Sequence, residues 1–149
     1  MQRRVAVRGI ITLNNQLLGV RQKPYNDVSS NMNGAWCTPG GGLDIGEPLV
    51  AGLIRELEEE TGVTPIVGQL LFIQQFVYND LEQLEFFFHV ENGQDYQSID
   101  LAATSHGAHE IAQICYLDPQ STNILPKFLQ EVDIAAAISS QTTTVFDYI

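Results

Sequence analysis

The chain has 149 residues, 18 of them acidic and 7 basic, for a formal net charge of -11, and 44% are hydrophobic. That length suits one domain with a core that needs no disulfide or structural metal, and that hydrophobic share excludes a disordered chain. The negative charge disfavours a nucleic-acid duplex as partner, and no apolar run approaches the roughly 18 residues of a membrane span.

Arg8 interrupts the first apolar stretch, so no secretory leader is expected. Five of the basic residues, Arg3, Arg4, Arg8, Arg21 and Lys23, fall within the first 23 positions. Residues 4–13 and 16–22 read as two strands joined by Asn14-Asn15, a favoured hairpin pair. Residues 23–35 are polar and read as a long surface loop. Trp36 follows, then Pro39 and Gly40-Gly41-Gly42, where a rigid turn precedes backbone able to approach a ligand closely.

Residues 48–61 read as a helix opened by Pro48 and closed by Gly62. Leu49, Leu53 and Leu57, with Val50 and Ile54, supply its buried stripe. Residues 65–78 and 83–91 read as strands around an Asn79-Asp80 turn, with Phe86, Phe87 and Phe88 in the core. A polar loop spans 92–109, a further strand 111–117, and a C-terminal helix 121–139. The tail from Thr142 has β propensity and no assigned partner. Mixed strands flanked by helices indicate an α/β sandwich. Cys37 and Cys115 lie outside any CxxC pair and read as free thiols of a cytoplasmic protein.

The chemistry concentrates in the helix. Glu56, Glu59 and Glu60 stand at i, i+3 and i+4, which places three carboxylates on one face. Their mutual repulsion is naturally offset by a hard divalent cation such as Mg²⁺ or Mn²⁺. Glu58 points away from that face and Leu57 inward. Glu47 lies where the helix begins, and Arg55, one turn before Glu59, is placed to orient the acidic cluster by ion pairing.

Residues 41–63 resemble the Nudix signature, Gx5Ex7REUxEExGU with U a bulky aliphatic. Gly41, Glu47, Arg55, Glu56, Leu57, Glu59, Glu60, Gly62 and Val63 match every fixed position. One departure is Thr38, which stands before the proline where an apolar residue is common. The resemblance implies a Nudix-type α/β/α sandwich with a mixed β-sheet, and metal-dependent hydrolysis of a phosphoanhydride bond in a nucleoside diphosphate linked to another moiety. It further implies Glu56, Glu59 and Glu60 as metal ligands, assisted by a carbonyl near Gly41. The general base is either Glu56 or a later carboxylate, for which Glu110 is best placed and Asp95 and Asp100 are alternatives.

Arg21, Lys23, Gly40 and Gly41 are candidates for holding phosphate. His89, His106 and His109 read as structural or loop residues, and Tyr78 as core or rim packing. A nucleotide-sensing domain without hydrolysis is the competing reading, disfavoured because no motif glutamate is lost. An isomerase acting on prenyl diphosphates would need a cysteine-and-glutamate site that cannot be placed here. A homodimer is expected, with residues 142–149 pairing onto a sheet edge.

Overall fold

The computed structural model describes residues 1–23 and 34–148. Residues 24–33, the bulk of the expected polar loop, lie outside the described residues. Strand β1 (Gln2–Ile10) leads into β2 (Thr12–Leu13), which turns through Asn14 and Asn15, both at positive φ, into β3 (Gln16–Gln22). The expected hairpin therefore forms, but its first strand breaks at Ile11, where the chain passes from one sheet to the other. Strands β4 (Trp36–Cys37) and β5 (Gly40–Gly42) precede helix α1 (Leu49–Thr61). The long hairpin β6 (Val67–Tyr78) and β7 (Leu81–Val90) follows. Helix α2 (Gly107–Glu110), β8 (Ile111–Leu117), β9 (Ile124–Leu125), α3 (Ile134–Ser140) and β10 (Thr144–Tyr148) complete the order.

One sheet runs β10-β6-β7-β1-β5; the other joins β2, β3, β4 and β9, with β8 along β3. Both are mixed: β1 lies parallel to β7 and antiparallel to β5, and β4 lies parallel to β9 and antiparallel to β3. Period-two alternation sends neighbouring side chains to opposite faces. On the α1 side Val7, Phe88 and Val90 pack with Leu53 and Leu57. On the other, Ile10, Phe72 and Phe87 pack with Phe128, Leu129 and Ile134. The result is an α/β/α sandwich.

Helix α1 ends as expected, with Gly62 at φ 75° donating its N–H to the Glu58 carbonyl. Its stripe needs one correction. Val50 is exposed, and Gly52 takes a buried place where a Cβ would strike Leu43. The expected helix over 121–139 does not form. Proline lacks an N–H and restricts its predecessor, and Pro126 divides the segment into β9 and a 3₁₀ turn at Lys127–Gln130. The helix starts only at Ile134, where the Asp133 side chain caps the Ala136 N–H.

The 92–109 segment is also more ordered in kind than a plain loop, with 3₁₀ turns at Gly93–Tyr96 and Leu101–Ala103. The tail finds its partner within the chain: β10 lies parallel to β6, from Thr144 beside Phe72 to Tyr148 beside Phe76. Residues 144–148 therefore pair with a sheet edge of their own chain.

Candidate active site

Helix α1 packs against β1 and β5, and this contact builds the site. At Gly41 a Cβ would lie 2.5 Å from Glu56 Oε2, so the missing side chain is what lets the strand approach the carboxylate. The Gly40 N–H donates to Glu60 Oε2 at 3.1 Å. Gly40 itself has φ 140° and rests against the Val7 backbone so closely that no side chain fits.

The three glutamates occupy different environments. Glu60 is buried, and its carboxyl is pushed up to about 8 by desolvation, with the nearby charges of Glu56 and Glu110 adding to the rise. Glu56 is partly buried and its carboxyl is also raised, chiefly by burial. Glu59 is the most open of the three and lies 3.7 Å from His106 Nδ1. Glu58 points to solvent and accepts from the Thr64 hydroxyl.

Arg55 ties the cluster together. Its Nε and Nη2 donate to the two oxygens of Glu47 at 2.8 and 2.9 Å, a bidentate pair. Its Nη1 donates to Glu56 at 3.1 Å and Glu59 at 3.3 Å, and Nη2 also reaches the Gly42 carbonyl. These bonds from Arg55, with one from the Asp44 N–H, hold the Glu47 carboxyl down at about 2. Glu47 therefore serves Arg55 rather than capping the helix.

Glu110 ends the short helix α2, which is docked on the C-terminus of α1. The His106 N–H donates to the Glu59 carbonyl, and Gly107 sits so close to the Glu60 carbonyl that a Cβ would collide. This packing brings the Glu110 charge to bear on Glu60. Asp95 and Asp100 are placed otherwise: Asp95 accepts from Asn92 Nδ2, and Asp100 caps its 3₁₀ turn through Ala102 N–H. The Lys23 ammonium donates to the Ala108 carbonyl at 2.7 Å, and Arg21 donates to the Gly34 carbonyl and Gln113 while lying over the Trp36 ring. The cations that act on Glu56 and Glu60 are instead Arg4, Arg8 and Arg55.

Beside this cluster lies a cleft of about 440 Å³ that sequence reasoning missed. Its floor comes from one face of β1, β6 and β7, where alternation aligns Arg4, Arg8, Gln74, Gln83 and Glu85. Buried Arg8 donates from Nε to Glu85 at 3.0 Å and from Nη1 to the carbonyls of Thr38 and Gly40. Gln74 donates to the other Glu85 oxygen. Phe76, Tyr78, Pro126 and Tyr148 give the walls, and Lys127 also lines it. The available signals were Arg8 and Glu85, charges placed within strands, which burial allows only when they are paired. Cys37 lies in the same region, its buried thiol pushed up to about 11. His89 stands apart on β7, half-buried, with burial lowering its imidazole.

No three His, Cys, Asp or Glu side chains among the described residues are already arranged to hold a metal. The donor chemistry nevertheless fits a hard cation: carboxylate oxygens of Glu56, Glu59 and Glu60 beside the glycine backbone. The burial that raises the Glu56 and Glu60 carboxyls is also a cost that a bound positive charge would relieve.

A model of the NUDIX domain matches residues 2–136, so the chain belongs to the NUDIX family. Over 67 residues it is 37% identical to an ADP-ribose pyrophosphatase of Methanocaldococcus jannaschii, a match covering 45% of this chain and 37% of that protein. The match thus spans little more than a third of that relative. Among solved structures it is similar to the ORF135 protein of E. coli, with TM-score 0.69, 20% identity and coverage of 93% of this chain and 94% of that one. A MutT protein of Methanosarcina mazei gives TM-score 0.69 at 17% identity, covering 95% and 97%. These likenesses show the α/β/α sandwich of the family. No helix among the described residues is long and apolar enough to cross a membrane.

Proposed function

We propose that this chain hydrolyses a phosphoanhydride bond in a nucleoside diphosphate linked to another moiety, with Mg²⁺ or Mn²⁺. The observation that carries this reading is the acidic face of α1, Glu56, Glu59 and Glu60, closed against Gly40 and Gly41. The name of the M. jannaschii relative, an ADP-ribose pyrophosphatase, supports the substrate class.

Glu56, Glu59, Glu60 and the Gly41 carbonyl would hold the cation, which when bound neutralises phosphate charge and acidifies the attacking water. Arg55 positions Glu56 and Glu59 through its bonds to both. Glu110 acts as general base, taking a proton from water as the phosphorus–oxygen bond forms and the bridging bond breaks. The small-molecule substrate enters the cleft floored by Arg4 and Arg8. Two unbridged thiols, buried Cys37 and exposed Cys115, favour a reducing, cytoplasmic setting.

The test is a panel of ADP-ribose, other nucleoside diphosphate sugars, dinucleoside polyphosphates and nucleoside triphosphates, assayed with Mg²⁺ or Mn²⁺. Release of nucleoside monophosphate from a diphosphate-linked substrate, abolished by EDTA, is expected. Nucleotide binding without turnover in either metal would overturn hydrolysis in favour of a binding-only domain.

A further inference from the structure

Every charged or amide group on the cleft floor between β6, β7 and β1 has a partner. Glu85 accepts from Arg8 and from Gln74, and Gln83 accepts from Arg4 at 3.0 Å. Thr38 differs. It is fully buried and lines the same cleft, yet its Oγ1 finds no hydrogen-bond partner among the described residues. A buried hydroxyl left unpaired carries the full desolvation penalty of the group, and a valine of nearly the same shape would not. The Thr38 carbonyl is held by Arg8 together with that of Gly40, which fixes the residue between the cleft and the glycine strand facing Glu56. The walls of Phe76, Tyr78 and Tyr148 suit the faces of a planar ring, while the floor suits its polar edge.

We propose that Thr38 is a specificity-determining residue whose Oγ1 hydrogen-bonds the polar edge of the nucleobase of the bound substrate. This rests on the nucleotide reading given above. In the free protein the hydroxyl is unpaired and closed to solvent, so the base reaches it as the side chains lining the cleft give way, and Thr38→Val removes that bond while removing the apo penalty. A threonine retained only for packing would respond differently, since neither its hydroxyl nor the base would matter.

Isothermal titration of AMP, GMP, CMP, UMP and inorganic pyrophosphate in Mg²⁺ separates the base from the phosphate. Thr38→Val is expected to weaken the tightest-bound monophosphate by about 5- to 10-fold, the loss of one hydrogen bond. Pyrophosphate affinity stays unchanged, and the apo melting temperature is equal to or above that of the wild type. Thr38→Ser restores nucleotide affinity to within about twofold. Unchanged nucleotide affinity in Thr38→Val, an equal loss for pyrophosphate, or a lowered apo melting temperature with no rescue by serine each overturns the proposal while leaving the nucleotide reading intact. A wild type that holds pyrophosphate but none of the four nucleotides overturns both.

Discussion

Glu60 shows how burial turns a metal-ligand candidate into a pH-dependent load on the fold. Its carboxyl stands at about 8 against an ordinary 4.5, so between those values the folded protein keeps a proton that the unfolded chain has released. Stability therefore falls as pH rises from about 4.5 through about 8. Glu60→Gln removes the titration while keeping an oxygen for the Gly40 N–H. In EDTA, the variant's melting temperature should gain on the wild type by more at about pH 8 than at about pH 5. An equal difference at both would contradict the assignment. Glu110 gives the second residue-scale test. Because α2 is already docked on α1 through His106 and Gly107, Glu110 is held near Glu60 by packing and needs no lid closure. Glu110→Gln should lower kcat by about 10²-fold, the lower end for loss of a general base, with metal affinity unchanged. Near wild-type kcat would pass the role to Glu56.

Elements with a strong local signal were legible in the sequence. Helix α1 had its proline entry, glycine exit and apolar stripe, and the Asn14-Asn15 and Asn79-Asp80 turns marked two hairpins. Strand β8 fell at 111–117 as read. The C-terminal region was not legible, because Ile124, Phe128 and Leu129 imitate helical spacing while serving β9 and a 3₁₀ turn. Pro126 and Asp133 were the signals that should have outweighed that pattern. The cleft was hidden for another reason: Arg8 and Glu85 are 77 positions apart, and only strand pairing makes them partners.

The tail, left without a partner by sequence, carries a prediction at this same scale. Phe146 on β10 stacks on Phe128 with centroids 4.2 Å apart and touches Phe72, and Tyr148 lines the cleft. A chain ending at Ser140 should lose roughly 6–12 °C in melting temperature, as for about 3 kcal/mol of lost aromatic burial. Its KM should rise more than its kcat falls. An unchanged melting temperature would show that β10 adds nothing to the core.

At the scale of the molecule, cis pairing of β10 bears on association. The tail covers the β6 edge and becomes the new edge, with Val145 and Tyr148 exposed. Light scattering of the full and shortened chains separates destabilisation of one subunit from dissociation of two. The molecule's net charge of -11 repels an anionic substrate, so the local cations Arg4 and Arg8 and a bound metal must reverse the field where phosphate is handled. That makes metal binding by the α1 acidic face the centre of the account. The most direct measurement is turnover of the best panel substrate against Mg²⁺ concentration, for wild type and Glu59→Gln. The wild type should show saturable dependence on metal, and the variant should need about tenfold more Mg²⁺ and turn over more slowly at saturation. Saturation at the same Mg²⁺ concentration with the same kcat would contradict the assignment of Glu59, and with it the acidic face, as the metal site.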